Sequence, residues 1–374
     1  MFYTRKCGEI EDSDFGSEQT LCGWLQDTRN LGGIAFLQLR DITGVIQLTL
    51  LKKKLGDENF KSWANINRES IILVRGIVKE NKEAPGGVEM LPDNIELVNE
   101  AETPLPLGVI DKIDSEIETR LNARYLDLRK TEIAANFQIR AAISGAVHKH
   151  LRRENFLEVQ TPKIIASATE GGTSLFEMKY FDKTAYLAQS PQLYKQILMG
   201  GGLERVYEVG PAFRAEEHNT PRHLNEFISI DIEMSFADDD VVMGVMERLV
   251  DTAARAVSKE TEALEILGVE SIELELPLPR ITYDEAIEMA KGKAEWGEDL
   301  SMEATRAIAK QMNGFYFITK WPLSLKPFYI QPDEDAKYSK GFDFMYNEVE
   351  MTSGGQRVHN VDLLKKRLKE QGLE

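Results

Sequence analysis

Between Leu21 and Val98 the chain alternates apolar and polar residues, or runs apolar, in five short stretches: Leu21–Leu25, Ala35–Leu39, Val45–Leu51, Ile71–Val78 and Asn94–Val98. Turn-forming residues interrupt them at Asn30–Gly33, Thr43–Gly44 and Pro85–Gly87. A period of two broken at regular turn signals predicts a small barrel or sandwich. Pro104 and Pro106 then mark a linker. Residues 114–130 are charged and read as helical. From Glu132 to Glu154 the apolar residues Ile139, Ile143, Val147 and Leu151 recur every four positions, which predicts a long helix with one buried stripe. Phe156–Thr161 reads as a strand stopped by Pro162.

The period of two returns at 205–216 and 224–236, predicting an antiparallel hairpin. Tyr207, Val209, Phe213 and Ala215 fall on one face of the first strand, with Glu208, Arg214 and Glu216 on the other. In the second strand Ile228, Ile230, Ile232, Met234 and Phe236 form an apolar face, opposed by Phe227, Ser229, Asp231 and Glu233. The joining loop, Glu217–His223, carries Pro221, Arg222 and His223. The polar face of a hairpin is ordinarily just wet. This one combines an arginine, several carboxylates and an aromatic ring. An arginine can clamp a phosphate or carboxylate through two bonds and a ring can stack on a base, so the hairpin suits a nucleotide platform.

Upstream, Ala185–Ala188 reads as a strand and Ser190-Pro191 as a helix start. Gln192 and Lys195, three apart, share one helix face. A lysine at the mouth of a sheet can read an anionic substrate, although most surface lysines only face water. Near the end, an aromatic strand-like run, Phe342–Val349, precedes Glu350-Met351-Thr352-Ser353-Gly354-Gly355. Glu350 and Ser353 offer hard oxygen ligands for a cation; a solvated glutamate ahead of a turn is the plainer reading. Arg357 and His359 follow, then a helical Val361–Lys369.

Composition narrows the class. The 374 residues are 42% apolar and 29% charged, enough to bury sizeable cores in two or three domains. Two cysteines, Cys7 and Cys22, exclude a disulfide scaffold or a multi-cysteine zinc site and suit a reducing cytoplasm. No apolar run approaches membrane-span length, and no basic-then-apolar leader opens the chain. The formal charge of −17 argues against a nucleic-acid partner only on average. Residues 21–82 hold ten Lys/Arg and six Asp/Glu, a balance of +4; residues 231–303 hold six and twenty, a balance of −14. Screening limits a charge's reach to about 8 Å at physiological salt, so local balance decides docking. Five strands with a basic bias suit a nucleic-acid-binding barrel of the oligonucleotide-binding (OB) type, and the acidic block reads as solvated helix surface.

Taken together, these stretches resemble the class II aminoacyl-tRNA synthetases of subclass b, most closely those of the archaeal aspartyl type. The resemblance runs from Leu21 to about Leu368. It is carried by Gly23-Trp24, Leu31-Gly32-Gly33, Leu39-Arg40-Asp41, Arg124-Tyr125-Leu126-Asp127-Leu128-Arg129, the long helix and strand ending in Pro162, Ser190-Pro191-Gln192-Leu193-Tyr194-Lys195-Gln196 and Phe213-Arg214-Ala215-Glu216. It implies an α+β chain in three parts: an OB-type five-stranded anticodon-binding barrel over 1–103, a hinge over 104–131, and an antiparallel-sheet catalytic domain over 132–374. It implies a homodimer, ATP and Mg2+ as cofactors, and L-aspartate and tRNA(Asp) as substrates, with tRNA(Asn) left open.

Residue roles follow from the same resemblance. Arg29, Phe36 and Gln47 would meet the anticodon, Phe36 by stacking, with a barrel-core place for Phe36 as the alternative. Arg214 would bind the α-phosphate and the aspartate carboxylate. Glu216 would orient adenine, and His223, with Arg222 and His218 beside it, would meet the terminal phosphates. Leu224 and Phe227 would line the adenine site. Glu350 and Ser353 would hold magnesium, and they also fall in the ATP and aspartate sites respectively. Lys195 and Arg357 would clamp the aspartate side chain, while Glu170, Gln192 and Asp231 would face its ammonium group, with Gly171-Gly172 making the Glu170 loop a lid. Two cations facing a carboxylate favour aspartate over asparagine, because a neutral amide would leave them uncompensated at a cost of roughly 3 kcal/mol or more. No protein nucleophile is needed.

One family element has no counterpart: nothing after Arg357 fits a Gly-x-Gly-x-x-Arg pattern. The expectation is a synthetase sequence cut short of its third motif, with little activity as this 374-residue chain. Two alternatives stay open, a non-catalytic RNA-binding or regulatory paralogue and an asparaginyl-type enzyme.

Overall fold

The computed structural model describes residues 2–110, 115–166, 175–215, 224–370 and 372. Two compact units divide the chain, Met1–Ile133 and Ala134–Glu374.

In the first unit, β1 (Glu18–Asn30), β2 (Ile34–Arg40) and β3 (Val45–Leu51) are successive antiparallel neighbours. Helices α1 (Lys52–Leu55) and α2 (Asp57–Ala64) lead to β4 (Ile71–Glu80) and β5 (Val88–Asn99). The order β1-β2-β3-β5-β4 closes into a barrel, as expected. Its core is the inward set of each alternation, with Leu21, Leu37, Leu48 and Val74 fully buried. The two helices are absent from the sequence reading, because Lys52-Lys53-Lys54 looks like a charge run. Phe60 and Ala64, one turn apart, are buried in the barrel core, with Leu55 and Trp63 partly buried against it.

The segment expected as a hinge contains α3 (Ile117–Asn122) and α4 (Arg124–Asp127), with a small core of Leu107, Ala123 and Leu126. Buried Asp127 accepts from Arg120 at 2.9 Å and also pairs with Arg124. Arg129 lies over the Trp24 ring and pairs with Glu69 at 2.8 Å; Glu69, buried, also takes Arg40 at 2.8 Å.

The second unit opens with α5 (Thr131–Arg153), which begins just before it. Val147 and Leu151 of the predicted stripe are buried against Phe156 and Tyr207. Then come β6 (Leu157–Glu158), β7 (Ile164–Ile165), β8 (Glu177–Tyr180), β9 (Lys183–Leu187), α6 (Gln192–Gly200), β10 (Arg205–Phe213) and β11 (Glu226–Met234). Next are α7 (Asp239–Val257), α8 (Thr261–Leu267), β12 (Arg280–Thr282), α9 (Tyr283–Met289) and α10 (Met302–Met312). Last are β13 (Phe315–Thr319), β14 (Gly341–Tyr346), β15 (Val349–Gly355) and α11 (Val361–Glu370). The sheets run β11-β10-β6, β12-β13-β14-β15 and β7-β9-β8.

Three expectations are corrected. The strand Phe156–Thr161 shrinks to β6, because the Thr161 N–H is taken by the Glu208 side chain at 3.0 Å instead of a neighbouring backbone. The apolar face of β11 is only half covered: Ile232 and Met234 pack beside Tyr207, whereas Ile228 and Ile230 are 48% and 45% exposed. Alternation defines a face but not what covers it. Finally, Phe342–Val349 is not one strand. Asn347, at φ +51°, turns the chain into the hairpin β14–β15, so Glu350 and Ser353 lie within a strand.

Candidate functional site

The β10–β11 hairpin aligns Glu208 with Asp231, Gly210 with Ser229 and Ala212 with Phe227. Cross-strand partners share a face, so Phe227, Ser229, Asp231 and Glu233 stand together, as the alternation predicted. Helix α6 lies against this face. The Gln192 N–H donates to the Ser190 hydroxyl at 3.2 Å at its start, and α6 presents Gln192 and Lys195 to β11. Lys195 Nζ donates to Asp231 Oδ1 at 3.0 Å and to the Ile232 carbonyl at 3.3 Å, and stands 3.6 Å from Glu233 Oε2. Gln192 Nε2 donates to Glu233 Oε2 at 3.1 Å, and the Ser229 hydroxyl to Asp231 Oδ2 at 2.6 Å. The lysine side chain is only 4% exposed. Five sequence-predicted polar positions, Gln192, Lys195, Ser229, Asp231 and Glu233, thus form one connected, largely buried cluster, in which Lys195 already faces two carboxylates.

Glu208, expected on the hairpin's polar face, is buried. It accepts from the Thr161 N–H, from Thr161 Oγ1 at 2.7 Å and from Lys163 Nζ at 2.8 Å. It braces the chain after β6 against the sheet. At the open end of the hairpin the Arg214 guanidinium lies 5.3 Å above the Phe227 ring, and the Arg214 N–H donates to the Asn225 carbonyl at 2.9 Å. The structure brings Arg214 and Phe227 together, and Leu224 is exposed beside them. Arg357 lies over the Tyr329 ring at 4.7 Å. Glu170, Glu216, His218, Arg222 and His223 lie outside the described residues.

Glu350 and Ser353, three apart in a strand, should point to opposite faces. They do not, because Met345 pairs with Glu350 and Phe344 with Thr352, leaving Met351 as one extra residue. This bulge resets the alternation and puts Glu350 on the face of Ser353 and its partner Asp343. Glu350 is exposed as a residue, yet partial loss of water at its carboxyl and the nearby Asp343 charge push that carboxyl up, while Lys326 and a hydrogen bond from Ser353 pull it down. Burial also pushes up Asp343, which is paired with Lys326 at 3.1 Å. Crowded carboxylates beside a hydroxyl fit a hard divalent cation. Among the described residues no cluster of three or more carboxylate, histidine or cysteine side chains encloses a metal, so substrate oxygens and water would complete its shell.

In the barrel, Arg29 pairs with Phe36 and Phe36 with Thr49, across three strands; Gln47 pairs with Glu89 of β5. These residues share the barrel's outer face. Phe36 is half-buried and lies outside the core cluster. A bulge between Leu25 and Asp27 makes this possible, because it shifts the β1 alternation so that Arg29 points outward beside Phe36. Glu89 was missed in the sequence, where nothing distinguishes it from a surface glutamate. It is buried, accepting from Thr49 Oγ1 at 2.6 Å, Lys79 Nζ at 2.9 Å, Asn81 Nδ2 at 2.9 Å and Gln47 Nε2 at 3.3 Å. Burial pushes its carboxyl up, but the bonds from Thr49, Lys79 and Asn81 outweigh this and hold it below the usual range.

Residues 116–374 match the family described as tRNA synthetases class II (D, K and N), and residues 19–98 match the OB-fold nucleic acid binding domain. The chain is 50% identical over 366 residues to the aspartate–tRNA(Asp/Asn) ligase of Archaeoglobus fulgidus, covering 96% of this chain and 85% of that protein. It is 46% identical to the aspartate–tRNA(Asp) ligase of Thermoplasma acidophilum, covering 98% and 86%. Among solved structures, the asparaginyl-tRNA synthetase of Pyrococcus horikoshii complexed with asparaginyl-adenylate superposes with a TM-score of 0.91 at 31% identity, covering 100% of this chain and 88% of that one. With the hairpin cluster and the closed barrel already in place, these matches make the chain a member of the class II tRNA synthetases of the D, K and N group.

Proposed function

We propose that this chain is an aspartate–tRNA ligase, which activates L-aspartate with ATP and transfers it to tRNA. The observation that carries the reading is the near-full-length identity of about half to the Archaeoglobus ligase. The Lys195–Asp231–Glu233–Gln192 cluster supplies the matching chemistry.

In this reading an aspartate carboxylate oxygen attacks the α-phosphorus of ATP. The bond to the bridging oxygen breaks, and pyrophosphate leaves with the electron pair. A tRNA ribose hydroxyl then attacks the activated carbonyl, and AMP departs. The protein's task is positioning and charge neutralisation. Arg214 steadies the α-phosphate and Phe227 receives the adenine, the guanidinium moving off the ring it now covers. Lys195 and Arg357 receive the side-chain carboxylate, and Lys195 keeps its place through Asp231. Asp231, Gln192 and Glu170 face the ammonium group; Glu216, Arg222, His223 and Leu224 complete the ATP site. Glu350 and Ser353 would hold Mg2+, which when bound would supply charge neutralisation at the phosphates. Arg29, Phe36 and Gln47 read the anticodon on the barrel's outer face, Gln47 being oriented by Glu89. Two copies form a homodimer, as the resemblance of the long helix and the strand ending at Pro162 implies. The tRNA for aspartate is the substrate shared by the names of both archaeal relatives. The site of action is the cytoplasm.

Calorimetric titration with non-hydrolysable aspartyl- and asparaginyl-adenylate analogues tests the assignment. The aspartyl analogue is expected to bind at least about tenfold tighter, a difference of about 1.4 kcal/mol. A preference for the asparaginyl analogue would instead support the reading that the Pyrococcus structure favours. Binding of tRNA without either analogue would support an RNA-binding paralogue.

A further inference from the structure

The second unit is strongly acidic, yet one of its concavities is basic. Lys291, Lys293, Arg306 and Lys310 line a surface cavity of about 810 Å³ together with Glu303 and Glu348. None of the four cations makes an ion pair among the described residues. This is not for want of carboxylates. In the acidic block 231–303 each of the three arginines is paired: Arg248 with Glu154, Arg255 with Asp251, and Arg280 with Asp240 and Glu247.

The cations are carried on a fixed frame. Arg306 and Lys310, four apart on α10, share a helix face. Lys291 and Lys293 flank Gly292 in the turn after α9, where Lys291 and Gly292 hold φ of +53° and +77°. Gln311 Nε2 ties α10 to the end of α9 through the Met289 carbonyl at 3.0 Å. Asn313 and Asn347 also line the cavity. Gly314 N–H donates to Asn347 Oδ1, and the Tyr316 hydroxyl to the Asn347 carbonyl, both at 2.9 Å.

The lining contains no aromatic or large apolar side chain, so it offers no aromatic platform for a base. All four cations are exposed on long stems, unlike a closed site for a small anion. Exposed lysine and arginine without an aromatic platform is the chemistry of sequence-independent contact with phosphates. We propose that this cavity is a docking site for the phosphate backbone of tRNA, separate from the barrel's anticodon face. The inference rests on the aminoacylation reading.

The test measures tRNA(Asp) binding by the full chain from about 50 to 200 mM salt, beside binding of an isolated anticodon stem–loop. The variants are Arg306→Ala/Lys310→Ala, Lys291→Ala/Lys293→Ala and the charge-keeping Arg306→Lys/Lys310→Arg, with melting curves to confirm folding. Each alanine pair is expected to weaken tRNA binding about tenfold and to flatten the log–log salt slope by roughly 1.5. The stem–loop should bind all variants alike, and the charge-keeping pair should match the unaltered chain. Unchanged affinity and slope for tRNA would overturn the proposal, as would an equal loss for the stem–loop. Loss of polyglutamate binding with tRNA binding intact would overturn it in favour of an acidic protein. If the unaltered chain bound no tRNA, the aminoacylation reading itself would fall.

Discussion

Lys195 Nζ sits 3.0 Å from Asp231 Oδ1 and 3.6 Å from Glu233 Oε2, one cation shared between two carboxylates. Replacing it with methionine would leave Asp231 and Glu233 facing each other without a cation in a largely buried place. Lys195→Met is expected to cost about 3 kcal/mol of stability and to abolish detectable aspartate-analogue binding. Adding Asp231→Asn should recover part of the stability but none of the binding. Urea unfolding of the single and double variants measures the coupling; additive losses would show that the pair is not coupled.

The crowding of Glu350 predicts a link between metal and pH. Its carboxyl is raised in the folded chain, first by loss of water and then by Asp343. A raised carboxyl favours folding while protonated, and that benefit is lost as pH rises through its folded value. Without metal at neutral pH, Glu350→Gln is therefore expected to raise the melting temperature slightly, because water screens much of the effect at this exposed residue. Mg2+ should raise that of the unaltered chain, lose this effect toward pH 4, and do little to the variant. Differential scanning fluorimetry across pH, with and without Mg2+, reads all of these shifts.

Glu89 has the opposite sign. Burial opposes its ionisation, but bonds from Thr49, Lys79 and Asn81 hold its carboxyl below the ordinary 4.5. A depressed carboxyl stabilises the fold above its unfolded value and stops doing so as pH falls through the folded one. The barrel of the unaltered chain should lose stability below about pH 4.5. Glu89→Gln should be less stable at pH 7 and show a flatter acid limb, followed by Trp24 and Trp63 fluorescence.

Gly354 faces Phe342 across β14–β15, and a Cβ there would meet the ring at 2.6 Å. The ring belongs to the core formed with Phe317 and Phe344 and has little room to retreat. Gly354→Ala is expected to cost about 1–3 kcal/mol and, through β15, to weaken Mg2+ binding. Chemical unfolding beside a Mg2+ titration checks both.

Sequence patterning made the barrel, the long helix and the hairpin legible, because each buries one face of a regular period. The Lys195 cluster was also legible in part, since Gln192, Lys195, Asp231 and Glu233 sit at spacings that force a shared face. What escaped was phase. The extra residues at Met351 and between Leu25 and Asp27 change no composition, yet they decide which side Ser353 and Arg29 occupy relative to their neighbours. Burial of individual carboxylates escaped as well. Glu89 and Glu208 read as surface residues until the donors around them are known, and these include groups far apart in sequence, Thr49 for Glu89 and Thr161 for Glu208.

The knot of Arg40, Glu69 and Arg129 has a practical consequence. Its third member lies well past the last barrel strand. A fragment trimmed at residue 103 would keep the whole barrel yet strip Glu69 of one guanidinium and Trp24 of its cover. A fragment carried through to 133 would take the knot with it. A fragment that keeps this knot is therefore longer than the barrel, and a protease offered the intact chain should spare the stretch from Arg120 to Arg129.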